Sequence, residues 1–319
     1  MNLYERRDRS NLLETEFLPQ LEAGGIGVVG VAVYIEDSYL PEMGLRVGLN
    51  QIARVHEEVQ QSSRFAVCRT YDEILRARES GRIVLLITME GVEPLGTDLN
   101  LLRVFYELGV RVIGLTHARR NAAGDGGAFA RNGSTAAGLT AFGREVVRKC
   151  EALGIVIDLA HINPAGFDDV LEITTKPVIV SHTNARRYYD IERNISDEQI
   201  KRVGQRGGVI GINSVLVAPC KEDATIDRYV DHIEHVRDLI GINGVAIGFD
   251  FFHFIYRQWP AIVREQFHNK YANFHFIPDL LDHSHARAVT RTLIERGFAD
   301  EEIEKILFGN WMRSFKQLL

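Results

Sequence analysis

The chain has 319 residues, 45% hydrophobic and 25% charged, an ordinary composition for a folded globular protein. Lys and Arg number 37 against 43 Asp and Glu, a net charge of −6. With no basic tract, this argues against nucleic acid or an anionic membrane as a partner. No run approaches the ~20 apolar residues of a membrane span.

The start, Met1-Asn2-Leu3-Tyr4-Glu5-Arg6-Arg7-Asp8-Arg9, lacks the apolar stretch of a secretory signal, so cytoplasm is the expected compartment. Cys68, Cys150 and Cys220 are odd in number, far apart and without a CxxC pair. They read as small buried hydrophobes rather than a disulfide framework.

The first apolar run, 27–35, is Gly-bounded and rich in β-branched residues, hence a buried strand. Helical spacing follows over Leu49 to Gln61 and Tyr71 to Ser80, then a strand over 83–89. A helix from Leu99 to Leu108 feeds a strand at 110–116. The helix from Gly143 to Leu153 has Gly154 just past its end as a stop. Strand 155–160 comes next, then a helix from Pro164 to Thr174 with Asn163 as N-cap and Pro164 at its first position. Strand 177–181 follows. Ser196 and Gln199 form a capping-box pattern opening a helix to Arg206. Strand 208–213, a helix from Ala224 to Ile240, strand 245–249 and closing helices Leu280 to Glu295 and Glu301 to Leu319 complete the chain. The least regular stretches, 118–138 and 251–276, read as lids or binding loops.

Strands alternating with helices, without a linker or repeat, predict one α/β domain over 1–319. The expected fold is a TIM-like (β/α)8 barrel with its first strand missing or replaced, because only seven buried strands are found.

Five of those strands run directly into a metal-binding or proton-transferring side chain. These are Glu90, His117, His161, His182 and Asp250. In a parallel barrel the C-terminal rim carries the chemistry. A Glu, three His and an Asp gathered there are the ingredients of a hydrolytic metal centre. A single His after a strand is more often structural; three at matching strand ends reverse that balance. Glu90 or Asp250 alone could cap a helix, and Asp158, within a strand, could equally support the site or make a structural hydrogen bond. His253, His283 and His285 read as solvated or structural, with His253 the one to watch because it lies three residues beyond Asp250.

At these residues the chain resembles the membrane dipeptidase family of dizinc peptidases (renal dipeptidase, peptidase M19). The resemblance covers nearly the whole chain. Its segments are Met89-Glu90-Gly91, Leu115-Thr116-His117, Gly138-Leu139-Thr140-Ala141-Phe142-Gly143, Ile157-Asp158-Leu159-Ala160-His161, Pro177-Val178-Ile179-Val180-Ser181-His182, Arg193-Asn194-Ile195-Ser196-Asp197-Glu198 and Gly309-Asn310. The resemblance implies a zinc-dependent dipeptidase acting on small dipeptides. It casts Glu90 as the carboxylate bridging two zinc ions, and His161 and His182 as imidazole ligands of the second. His117 would polarise the scissile carbonyl, Arg193 would grip the substrate's C-terminal carboxylate, and Asp250 would shuttle the proton. Relatives are often dimers, so a homodimer is an assembly to test.

Two departures stand out. The family opens with Asp-Gly-His-Xaa-Asp on its first strand, whose His and Asp hold the other zinc; no His-Xaa-Asp occurs in this chain. The family also continues Phe-Asp-Gly after the aspartate, where this chain has Phe251-Phe252-His253. These departures keep alternatives open: a one-zinc enzyme at Glu90, His161 and His182, a degenerate barrel, or an amidohydrolase or lactonase with a non-peptide substrate.

Overall fold

The computed structural model describes residues 9–127, 137–270 and 273–319. The apolar runs become β1 (Val28–Tyr34), β2 (Phe65–Val67), β3 (Ile83–Glu90), β4 (Val110–Gly114), β5 (Val156–Asp158), β6 (Ile179–Thr183), β7 (Val209–Asn213) and β8 (Val245–Phe249). They form one eight-stranded sheet in the order β1-β3-β4-β5-β6-β7-β8, with β2 paired to β3 off that path. The paired strands are all parallel. Because they are parallel, all their C-terminal ends lie on one rim. Helices alternate with them, as expected for a TIM-like α/β barrel.

All seven strands read from the sequence are present. The missed one, β2, is three residues long and pairs Phe65 with Ile83; three residues are too few to show a period.

The helices pack by one face. Ile226–Ile240 buries Tyr229, Val230, Ile233 and Val236, an i, i+1, i+4, i+7 set against the sheet. The expected caps are in place: Asn163 Oδ1 accepts from Gly166 N, and Ser196 and Gln199 cap each other's backbone. Gly154 takes the left-handed conformation (φ 74°) that ends the preceding helix. Three predicted helices differ: that read over Leu49 to Gln61 begins earlier, at Gly44. The last one is interrupted by a π-helical turn at Lys305–Gly309. The one before it begins only at Arg287, because Asp282 caps Ser284 N and shapes a 3-10 turn at His283–His285. Cys68 and Cys150 are buried as expected, but Cys220 is half-exposed, its thiol donating to Asp223. Among the described residues, no helix is long and apolar enough to cross a membrane.

Among the described residues no ladder joins β8 to β1, so these are the two edges of the sheet. Side chains blunt both. Gln51 donates to Tyr34 O and accepts from Tyr34 N (2.6 and 3.1 Å). Asn310 Nδ2 donates to Val245 O (2.7 Å), and Trp311 Nε1 to Ile247 O (2.9 Å). Edges left with unpaired backbone groups recruit other strands, and such caps oppose that. A helical segment that the periodicity did not reveal, Leu13–Gly24, packs against the 3-10 turn at His283–His285. Its Phe17 ring meets those of Phe254 (5.5 Å) and His283 (5.9 Å) edge-on.

Candidate metal centre

Six side chains named from the sequence sit on the C-terminal rim. Glu90 is the last residue of β3. His117 lies three residues beyond β4, and His161 three beyond β5. His182 lies inside β6 rather than after it, since that strand runs on to Thr183. Asp250 immediately follows β8, and Arg193 comes from the connection after β6. His161 (φ 66°) and Asp250 (φ 62°) both hold left-handed backbone. For a non-glycine residue this costs on the order of 1–3 kcal/mol, and it persists only where the surroundings impose it.

Three of the six meet at one point. The ligand atoms of Glu90, His161 and His182 all lie within 4.8 Å of one another. Glu90 Oε1 is 2.9 Å from His161 Nε2 and 3.3 Å from His182 Nε2, and the two Nε2 atoms are 2.8 Å apart. His182 Nε2 also faces Asp250 Oδ2 at 3.8 Å. Arg193 Nη2 donates to His161 Nε2 (3.2 Å) and His182 O (2.8 Å). The His117 ring stacks on that of His161, with centroids 4.2 Å apart and a 27° tilt.

The electrostatics sort these groups. Burial alone would raise the Glu90 carboxyl, but the adjacent His161 and His182 imidazoles hold it well below the usual carboxylate range. Burial, reinforced by Arg193 and His117, pushes the His161 imidazole well below its ordinary value. Burial brings His117 down to about 4, against the pull of Glu90. His182 goes the other way: burial is outweighed by Asp250 and Glu90, and its pKa rises. Burial lifts Asp250 to about 6, with His182 opposing and Glu90 adding. About a third of its side chain remains exposed (35%), which leaves it open to the solvent side of the site.

This donor set fits a divalent cation. Two imidazole nitrogens of one kind point at each other across 2.8 Å with a carboxylate oxygen beside both. Neutral imidazoles and a carboxylate are good zinc ligands. A central cation would bind all three lone pairs. Ser181 Oγ shares a hydrogen bond with His182 Nδ1 (2.8 Å), which orients that ring. His161 Nδ1 is buried with no hydrogen-bond partner among the described residues.

The residue reading missed two neighbours of the site. The strands left without a candidate, β1 and β7, end in Tyr34 and Asn213. Tyr34 lays its ring 4.5 Å from that of His117, and Arg119 donates to its hydroxyl (3.0 Å) while pairing with Glu93 and Asp37 (2.8 Å each). Asn213 hydrogen-bonds the Asp250 carboxylate. Their position at strand ends was the available signal; neither side chain titrates near neutrality, so neither stood out. His253 is not part of the centre. Its ring packs on Phe276 (4.8 Å) in an apolar cluster that includes Phe252, Ile191 and the buried Val215, Leu216 and Phe274. His283 is buried against Phe17 and Phe251, and His285 pairs with Asp282 (2.9 Å).

Comparison with known proteins adds the following. The model of the membrane dipeptidase family (peptidase family M19) matches residues 2–257. The dipeptidase tcpJ of Claviceps purpurea is 28% identical over 312 residues, covering 94% of this chain and 68% of its own length. An uncharacterised dipeptidase of Schizosaccharomyces pombe is 32% identical over 249 residues, with shares of 73% and 60%. Dipeptidase 3 of Rattus norvegicus is 28% identical over 304 residues, with shares of 94% and 58%. The chain therefore spans about three fifths of the length of these curated relatives. Among solved structures, a dipeptidase of metallopeptidase family M19 superposes with a TM-score of 0.84 at 25% identity, covering 99% of this chain and 94% of its own. An amidohydrolase from Pseudomonas aeruginosa gives 0.81 at 25% identity, with shares of 95% and 92%.

Proposed function

The chain belongs to the membrane dipeptidase family, peptidase family M19, and from that premise we propose that it is a zinc-dependent dipeptidase. The observation that carries this reading is the convergence of Glu90, His161 and His182 on one point, with Asp250, His117 and Arg193 around it.

A divalent cation held by those three donors would supply a water acidified toward neutrality and an electrophile for the scissile carbonyl. Asp250, facing the same point and lifted toward 6, is placed to take the water's proton and return it to the leaving amine. His117 stays neutral near pH 7 because burial depresses its pKa to about 4. It therefore offers an N–H to the oxyanion without bringing a charge that would repel the cation. Arg193 can exchange its bonds to His161 and His182 for the two oxygens of a C-terminal carboxylate, a match of planar forks. This favours short substrates with a free C-terminus close to the scissile bond.

The test is a panel of dipeptides, N-acyl amino acids and lactones offered to zinc-reconstituted protein, with products separated by chromatography. Dipeptide cleavage is expected. If no dipeptide is cut, the reading is wrong; turnover of lactones or N-acyl amino acids alone would move the activity to a non-peptide substrate. Three protein donors plus water is the complement of a single-zinc hydrolase. Elemental analysis after zinc exposure and desalting is accordingly expected to find about one ion per chain.

Arg193→Lys separates binding from chemistry. Charge-assisted hydrogen bonds contribute ~1.5–3 kcal/mol each, so losing one arm of the fork should raise KM for a free-acid dipeptide by about tenfold or more. The same change should barely affect the corresponding dipeptide amide. An equal effect on both substrates would remove Arg193 from carboxylate recognition.

A further inference from the structure

Ligands on separate strands bind one cation only if the strands hold their spacing. At β5 and β6, which carry His161 and His182, the ladder is nearly absent. Among the described residues a single register pair, Asp158 with Ile179, joins them. On its other side β6 is bulged: Val180 pairs with Ile210 and Thr183 with Ile212, so Ser181 and His182 together oppose Gly211. A bulge of this kind re-aims a side chain and takes backbone groups out of the ladder. The bulge is accommodated by glycine, since a Cβ on Gly211 or Gly248 would collide with the Ser181 carbonyl oxygen.

One buried carboxylate oxygen replaces what the ladder lacks. Asp158 Oδ1 accepts from Ala160 N (3.0 Å) and Ser181 N (2.8 Å). Ala160 precedes His161 and Ser181 precedes His182, so a single atom ties together the backbone next to both imidazoles. The two rings are otherwise held unequally: His182 has Ser181 Oγ on its Nδ1, whereas His161 Nδ1 has no partner among the described residues. His161 is in left-handed backbone, so its main chain, together with Arg193 on its Nε2 and the stacked His117 ring, sets its aim.

We infer that Asp158 is a positioning residue that sets the His161–His182 spacing, and thereby the zinc affinity, by clamping Ala160 N and Ser181 N with one oxygen. The inference rests on the reading of Glu90, His161 and His182 as the metal ligands. A purely structural hydrogen bond would affect folding; a clamp affects metal affinity and coordination geometry in protein that is still folded.

The test compares the wild type with Asp158→Ala and Asp158→Asn. Zinc affinity is measured by competition with a chelator of known affinity. Coordination geometry is read from the visible spectrum of the cobalt(II) form, and the fold from circular dichroism. Loss of groups that orient ligands typically costs 10–100-fold in metal affinity. Asp158→Ala should therefore bind zinc about 10–100-fold more weakly, with altered cobalt bands. Asp158→Asn, whose amide oxygen can accept both N–H groups, should retain most of the affinity and the wild-type bands. Folded Asp158→Ala with wild-type affinity and spectrum would overturn the clamp. So would folded Asp158→Asn that has lost the metal, an outcome readable even if the alanine variant does not fold. A wild-type chain that takes up no zinc would instead sink the ligand reading, and the clamp with it.

Discussion

His182→Ala is expected to abolish tight zinc binding and to lower kcat/KM for dipeptides on the order of 10³-fold or more. The imidazole is one of the three proposed donors, and its Nε2 lies within 3.8 Å of Glu90 Oε1, His161 Nε2 and Asp250 Oδ2. Removing it leaves two donors, fewer than the three protein ligands a catalytic zinc uses. The loss is expected to be large because a bound zinc would move the attacking water's pKa from ~15.7 toward ~7. His161→Ala should behave alike. His253→Ala, which changes a ring packed on Phe276 away from the centre, should keep bound zinc near the wild-type level. Titration of zinc into the three variants, with steady-state kinetics, checks the set. If His182→Ala retained both stoichiometric zinc and activity, the centre would have to lie elsewhere.

Stability should fall as the solution is acidified from pH 6.5 toward pH 4, and His232 should account for a definable part of the loss. This side chain is fully buried. Its Nδ1 accepts from Ala185 N (3.0 Å), so the ring proton is on Nε2, which donates to Val217 O (2.9 Å). Adding a second proton would break the Ala185 bond and place a charge in the core. Burial accordingly depresses the His232 pKa to about 4, only partly offset by the hydrogen bond to Val217. The unfolded chain, whose His titrates near ~6.5, takes up the proton first as pH falls. The stabilising contribution is therefore complete above about 6.5 and is lost as pH drops through the window down to about 4. The slope is about 1.4 kcal/mol per pH unit, or ~3 kcal/mol for the group. His283, also brought down to about 4 by burial, acts in the same direction. Denaturant unfolding at several pH values would show this. His232→Asn keeps an acceptor near Ala185 N but does not titrate; it should be less stable at pH 7 and lose less stability on acidification. An acid slope identical to wild type would remove His232 from the account.

Much of the site was legible because strand and helix periods place apolar side chains regularly, and a polar residue that breaks the end of an apolar run is conspicuous. Glu90, His117, His161, His182 and Asp250 were found that way, and the structure brings all five to one rim. Tyr34 and Asn213 occupy equivalent strand ends but carry no charge, so position alone marked them. β2 was invisible because three residues show no period, and the Leu13–Gly24 segment because its short π-helical and helical turns blur the 3.6-residue spacing.

By itself the sequence determined seven of the eight strands, most of the helices and which titratable groups lie at or near the C-terminal ends of those strands, since each depends on local chemistry and spacing. Only the tertiary structure decided that His182 sits within a bulged strand, that Asp158 bonds Ala160 and Ser181 together, and that Arg193 reaches His161. It also decided that β1 and β8 are edges capped by Gln51, Asn310 and Trp311. These are contacts between residues far apart in the chain. Their geometry depends on the register and twist of several strands together, and no local pattern encodes a distance between two strand ends.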